Sequence, residues 1–258
     1  MNEKPPSIQE WKDLYDAAIE FKKIKPWNWM WDTDMFGVQN PLTGEIGYCC
    51  VMGGAGKHYA LGVYLGSEGL DGYLRLQSRR NFPTLEDMLN FQRLLMASFE
   101  DREFLQKEDF QIIKKFGLKF RGPHSWPLFR SYRPGYHPWF LTSEEAAYLT
   151  LCLQQAIDVA LRFKDDPSLL VPPTENHYLV RVPKPKKDKT GLSWRDMWLE
   201  PLPLVKGDII TQPVDADYLE KIKRKIPYRQ GIWEIDFFYL SLIHISEPTR
   251  LLSISYAV

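Results

Sequence analysis

The segment TSEEAAYLTLCLQQAIDVALRF, Thr142–Phe163, is the strongest structural signal in this sequence. Thr142 and Glu145 have the spacing of a capping box, in which each side chain binds a backbone N–H group at the start of a helix. Apolar residues then recur at helical spacing: Ala146, Leu149, Leu153, Ala156, Ile157, Ala160 and Leu161. Only Thr150, Gln154, Asp158 and Arg162 form a polar stripe. We therefore predict a buried helix over about 142–163, roughly 30 Å long at ~1.5 Å per residue.

Strands and shorter helices surround this segment in the sequence. The runs Ile46–Met52 and Tyr59–Leu65 read as strands joined by a turn at Gly53–Lys57. Further helices are predicted after the capping pair Ser7 and Glu10, after Gly66, after Thr84 and over Lys107–Phe116. Further strands are predicted over Leu118–Phe120, Leu128–Tyr132, Tyr178–Val182 and Trp198–Leu204, and the alternation of Trp27, Trp29 and Trp31 indicates an extended segment. The fold class is α+β: an antiparallel sheet with helices packed against it.

The composition is that of a soluble globular protein. The 258 residues include 33 basic and 33 acidic side chains, and zero net charge argues against general binding of nucleic acid or of an anionic membrane. No run approaches the ~20 apolar residues of a membrane span, and the N-terminal segment lacks an apolar signal core. Three cysteines form no disulfide framework, so we expect a cytoplasmic protein.

The most distinctive polar stretch is RGPHSWPLFRSYRPGYHPW, residues 121–139, directly before the long helix. Prolines restrict its freedom, and arginine and aromatic side chains are typical of recognition surfaces. A helix start close by also favours an anion. The candidate binding residues are Arg121, His124, Trp126, Arg130, Arg133, Tyr136, His137 and Trp139. The opposite interpretation is that the aromatic rings pack together and the arginines pair with carboxylates.

Two functional classes remain open from the sequence. The first is a binding or interaction module that uses the 121–139 loop, with an unidentified protein or a small anionic ligand as its partner. The second is a hydrolase or transferase whose acid and base groups come from His124, His137, Asp32, Asp34 and Asp101. We favour the first, because no nucleophile, dinucleotide or metal-binding motif occurs in the chain.

We predict neither a metal nor a cofactor. Cys49 and Cys50 are adjacent and would point to opposite faces of a strand, so they cannot hold one ion together. The loop Gly53–Lys57 lacks the spacing of a phosphate-binding loop and leads into a strand instead of a helix. Asp32 and Asp34 could be a carboxylate pair, but loop carboxylates more often serve turns.

Several segments together resemble an uncharacterised bacterial protein family. They are PWNWMWDTDMFGV (Pro26–Val38), GYCCVMG (Gly47–Gly53), ALGVYLGSEGL (Ala60–Leu70), SFEDRE (Ser98–Glu103) and SWPLFRSYRPGYHPWFL (Ser125–Leu141). The likeness covers roughly residues 8–205. It implies an N-terminal domain of unknown function that is normally followed by a second uncharacterised domain, and it assigns no catalytic residues.

The end of the chain has a different character. Residues 240–250, LSLIHISEPTR, and 254–258, ISYAV, resemble a translated sequencing adapter, so we expect 240–258 to be a non-native tail. The expected organisation is an α+β domain over 1–172, a Pro- and Lys-rich connection with short strands over 173–212, and the start of a truncated second domain over 213–239. Deleting the tail should leave the melting temperature unchanged.

Overall fold

A computed structural model of the chain describes residues 4–78, 92–185 and 191–204. The helices are α1 (Ile8–Ile24), α2 (Gly66–Ser78), α3 (Lys107–Lys115) and α4 (Ser143–Asp165). The strands are β1 (Phe36–Gln39), β2 (Ile46–Met52), β3 (Tyr59–Leu65), β4 (Leu94–Glu100), β5 (Trp126–Tyr132), β6 (Tyr178–Pro185) and β7 (Leu192–Leu199). These elements belong to the first of two compact units, Met1–Pro203 and Leu204–Val258.

The seven strands named above form one sheet in the order β5-β4-β3-β2-β1-β6-β7. Neighbouring strands are antiparallel except for β1 and β6, which pair in parallel through Gly37 with Val180 and Val38 with Arg181. The predicted α+β class is therefore confirmed. Two of the strands, β6 and β7, come from the 173–212 segment and lie in the same sheet as the strands before residue 172.

The long helix α4 begins where its capping box predicts. Thr142 Oγ1 accepts a hydrogen bond from the Glu145 backbone N–H at 3.3 Å, and Glu145 Oε2 accepts one from the Thr142 N–H at 2.8 Å. Eleven of its residues are buried, which confirms a helix covered on most sides.

Two side chains of α4 differ from the predicted pattern. Thr150 of the polar stripe is only 6% exposed, because α1 packs alongside and the Thr150 hydroxyl donates to the Ala146 carbonyl at 2.8 Å. Leu161, predicted to be on the apolar face, is 44% exposed. It lies on the side of α4 that neither α1 nor the sheet covers.

Helix α1 runs parallel to α4, and contacts at both ends hold the two together. At their starts, Ser143 donates its hydroxyl to Glu10 Oε1 at 2.6 Å and its backbone N–H to the Lys4 carbonyl at 2.8 Å. At their ends, Trp29 Nε1 donates to the Ala160 carbonyl at 2.9 Å. This helical layer and one face of the sheet enclose the main core, whose largest fully buried side chains include Tyr15, Phe21, Phe36, Phe99 and Leu153. A second cluster, with Tyr48, Tyr64 and Tyr73, includes residues of α2.

A charge network connects α4 to the β6–β7 hairpin. Arg181 of β6 donates to Gln155 at 3.0 Å and to Asp196 at 2.6 Å, and it pairs with Asp158 at 3.1 Å. Arg162 pairs with Asp158 and Asp196 as well. Part of the predicted polar stripe thus binds a neighbouring hairpin instead of facing only water.

Three predicted strands or extended segments have another structure. Trp27 lies in a 3₁₀ turn (Pro26–Asn28), because Pro26 opens the turn and its carbonyl accepts from the N–H groups of residues 29 and 30. Residues 118–120 pair with none of the described strands, and Phe120 instead stacks on Tyr15. The strand predicted over 198–204 begins at Leu192 and ends at Leu199. The helix predicted after Thr84, the second domain predicted over 213–239 and the predicted tail 240–258 lie outside the described residues.

No helix among the described residues is long and apolar enough to cross a membrane.

Candidate functional site

The predicted 121–139 loop contains β5, which is an edge strand among the strands that the structure describes. This strand divides the candidate residues into two groups. Arg121, His124 and Trp126 stand at its beginning, and Arg133, Tyr136, His137 and Trp139 follow its end. Because a strand rises ~3.3 Å per residue, the two groups lie at opposite ends of the sheet, about 20 Å apart. They cannot contact one small ligand together.

Arg130, within the strand, is occupied by an internal ion pair. It is 7% exposed, and its guanidinium binds the Asp109 carboxylate through two hydrogen bonds of 3.0 and 2.7 Å. The ring of Phe140 lies 4.5 Å from the guanidinium carbon. Its hydrogen-bonding groups are therefore directed into the protein and not toward solvent.

At the beginning of β5, His124 is held by its backbone. Its N–H donates to Asp101 Oδ1 at 2.7 Å, and its carbonyl accepts from Lys22 Nζ at 2.7 Å. Its ring contacts Tyr59 edge to face, with 5.3 Å between the ring centres. The structure thus brings His124 and Asp101 together, but through a main-chain contact instead of a pair of titrating side chains.

Trp126 and Arg121 complete this first group. The Trp126 indole packs edge to face against Phe110 and Phe120, with 5.8 Å between ring centres in each case. Trp126 therefore packs against the main core. Arg121 is exposed.

After β5 the chain forms a closed turn over residues 133–139, which we call the 133–139 turn. Ser131 and Trp139 exchange two backbone hydrogen bonds of 2.8 and 2.9 Å across it, and the Tyr136 N–H donates to the Arg133 carbonyl at 2.9 Å. Arg133 Nη2 lies 3.0 Å from Glu145 Oε1 of α4. These contacts fix the turn on the start of the long helix.

The 133–139 turn nevertheless exposes aromatic surface. Tyr136 is 69% and Trp139 46% exposed, while the Trp139 ring contacts Phe140 edge to face. Burial, with a further contribution from the Arg130 charge, lowers the pKa of His137. The turn thus carries two exposed aromatic rings and one imidazole on a fixed backbone.

The other acid and base candidates serve turns and packing. Asp34 Oδ2 accepts from the Trp31 backbone N–H at 2.7 Å. The Asp32 carbonyl accepts from the Tyr73 hydroxyl at 2.7 Å, and its carboxylate accepts from Gln77 at 3.1 Å. Within residues 4–78, 92–185 and 191–204, no group of three or more His, Cys, Asp and Glu side chains is placed to hold a metal ion.

The glycine-rich loop before β3 is a hairpin turn, as predicted, and it packs against the tryptophan segment. The turn is closed by the Gly56 N–H, which donates to the Gly53 carbonyl at 2.8 Å. A Cβ atom at Gly54 would lie 3.0 Å from the Trp31 ring. Together with Trp27 and Tyr59 these residues line a cavity of about 380 Å³.

A larger concavity lies between α1 and α4, and it was not predicted from the sequence. It is a groove of about 520 Å³ lined by Glu10, Asp13, Asp16, Ala17, Glu20, Ala147, Thr150, Leu151, Gln154 and Ile157. The available signal was the spacing of Asp13, Asp16 and Glu20, which places three carboxylates on one face of α1. We call this feature the α1–α4 groove.

Comparison with known proteins yields one family. A family model described as a domain of unknown function, DUF7309, matches residues 11–181, from the first turn of α1 to within β6. No curated protein and no solved structure matches the chain. The match confirms the predicted resemblance to an uncharacterised domain, and no residue roles come with it.

Proposed function

The chain belongs to the DUF7309 family of domains of unknown function, and we propose that it is a protein-interaction module that binds a partner through the 133–139 turn. The observation that supports this is the exposure of Tyr136 and Trp139 on a backbone fixed by the Ser131–Trp139 bridge. Tyrosine and tryptophan are enriched where interfaces draw most of their binding energy. Because the turn is already ordered, binding would cost little conformational entropy.

A protein partner fits this surface better than a small anionic ligand. Arg130 and Arg133 already bind the carboxylates of Asp109 and Glu145, so an anion would compete with both. The rings offer apolar area, which suits a partner with a matching apolar pocket. We further propose a cytoplasmic location, which the three buried free cysteines support.

The second candidate function, a hydrolase or transferase, has less support. Such an enzyme needs its acid, base or nucleophile within hydrogen-bond reach of one another or of one substrate atom. His124 and His137 lie at opposite ends of β5, and Asp34 binds a backbone N–H in its own turn. This arrangement favours binding over catalysis.

The test compares partner capture by three forms of the full chain. Immobilised wild type, Tyr136→Ser/Trp139→Ser and the control Phe104→Ser are incubated with the same lysate, and bound proteins are quantified by mass spectrometry. Phe104 is 60% exposed near the opposite end of the sheet, so it matches the exposure of the tested rings. We expect the double variant to lose at least ~90% of a partner that the control retains, as loss of an aromatic anchor predicts. A partner set unchanged by Tyr136→Ser/Trp139→Ser would refute the proposal.

A further inference from the structure

The α1–α4 groove has an apolar floor. Ala17 of α1 and Ala147, Leu151 and Ile157 of α4 line it, and both larger side chains are only half-buried. Leu161 continues the same stripe of α4 and is exposed. Ile157 also packs against the main core, so Leu151 and Leu161 are the larger apolar side chains that this side of α4 leaves accessible.

Charge on the groove is of one sign. The α1 wall carries Glu10, Asp13, Asp16 and Glu20, and none of the ten lining residues is basic. Glu20 has a neighbouring base, Lys23, but both side chains are more than half exposed, and such pairs are weak. A partner that fills the groove must therefore bring positive charge next to apolar surface.

We propose that the α1–α4 groove docks a basic amphipathic helix of a partner protein. The lining runs from residue 10 to 20 on α1 and from 147 to 157 on α4, which at ~1.5 Å per residue is about 15 Å, or three helical turns. A helix laid between two parallel helices places an apolar stripe on the floor, as in helix-in-groove recognition. Its flanking Lys or Arg residues then meet the carboxylates spaced by three and four along α1.

The same charges disfavour two other occupants. A second copy of this chain would bring the acidic wall against itself, because a two-fold interface pairs identical patches. An anionic membrane surface would be repelled by the same carboxylates. The groove also shares no residue with the 133–139 turn, so the inference stands or fails independently of the proposed function.

Two synthetic peptides provide the test on the full chain. Each is a helix of about 14 residues with leucines at positions i, i+3, i+4 and i+7, flanked by lysines in one peptide and by glutamates in the other. Fluorescence anisotropy at low ionic strength should show saturable binding of the lysine peptide alone. Raising the salt should weaken that binding, because the charge pairs are exposed.

Variants locate the binding surface. Asp13→Asn/Asp16→Asn should weaken the lysine peptide at least ~5-fold, from two lost exposed charge pairs. Glu103→Gln/Glu175→Gln removes the same net charge from exposed positions outside the groove and should change affinity less than ~2-fold. Leu151→Gln should weaken binding, because it replaces an apolar side chain on the floor of the groove. A thermal melt of each variant checks that it is folded. The Tyr136→Ser/Trp139→Ser protein should bind the peptide as the wild type does.

Four results would overturn the inference. They are no binding of the lysine peptide, equal binding of both peptides, equal weakening by the control pair, and self-association on sedimentation that Leu151→Gln abolishes. The last would make a second copy the occupant.

Discussion

Arg130 of β5 and Asp109 of α3 form a two-bond ion pair inside the protein. Nη1 lies 3.0 Å from Oδ1 and Nη2 lies 2.7 Å from Oδ2. Nη1 also donates to the Phe129 carbonyl at 2.8 Å, and Asp109 Oδ2 also accepts from the Gln106 backbone N–H at 2.9 Å. The pair therefore fastens the first turn of a short helix to an edge strand.

Breaking this pair should be costly. We expect Arg130→Ala to lower the free energy of unfolding by about 3–5 kcal/mol, because Asp109 is left charged in a site that excludes water. Urea denaturation measures the loss. The double variant Arg130→Met/Asp109→Leu should recover most of it, since no buried charge remains. A loss below about 1 kcal/mol for Arg130→Ala would contradict this structural role.

Arg133 provides the matched comparison three residues away. Its side chain is 44% exposed, and its partner Glu145 keeps hydrogen bonds from Thr142 and Ser131. We therefore expect Arg133→Ala to stay within about 1 kcal/mol of wild type in the same urea titration, as exposed ion pairs usually do. A loss as large as that of Arg130→Ala would show that the 133–139 turn depends on this arginine.

Gly47 lies in β2 where two side chains leave no room for a Cβ atom. Such an atom would lie 2.5 Å from the Tyr148 hydroxyl and 2.5 Å from Val63 Cγ1. The Tyr148 hydroxyl is itself held by a 2.6 Å hydrogen bond to the Val38 carbonyl. We expect Gly47→Ala to destabilise by about 1–3 kcal/mol through overpacking. A double-mutant cycle with Tyr148→Phe should show that the two changes in unfolding free energy are not additive. Additive losses of stability would contradict overpacking against the Tyr148 hydroxyl.

The protein should lose stability in alkali. Burial raises the pKa of the Cys49 and Cys50 thiols and raises the pKa of Tyr48 to about 12. The folded state thus retains protons that the unfolded chain releases near pH ~8.5 for cysteine and ~10 for tyrosine. Stabilisation from these groups is complete below pH ~8.5 and falls as the pH rises.

Urea midpoints at intervals between pH 7.5 and 10.5 test this expectation. The midpoint should fall as the pH rises, and Cys49→Ala/Cys50→Ala should reduce the fall in the lower part of that range. A midpoint that does not move would show that the folded state does not suppress ionisation of these groups.

Most of the secondary structure could be predicted from local sequence signals. The bounds of β2 and β3 agree with the strands predicted from alternation and turn residues, and α4 begins at the predicted Thr142 cap. Each of these signals lies within a few residues of the element that it specifies. The extended segment predicted from the alternation of Trp27, Trp29 and Trp31 was wrong. Pro26 and its carbonyl impose a 3₁₀ turn there, and side-chain spacing does not reveal that turn.

The α+β class, the buried central helix and the β2–β3 hairpin could be predicted from the residues alone, because capping, periodicity and turn chemistry act over neighbouring residues. Three other features depend on how distant elements pack: Arg130 meets Asp109, β5 separates two halves of the predicted recognition loop, and α1 and α4 leave an acidic groove between them. An arginine can bind a ligand or a buried carboxylate equally well. Which of the two it binds depends on the strand order and helix packing that bring together residues far apart in the sequence. No local sequence pattern encodes which of those residues meet.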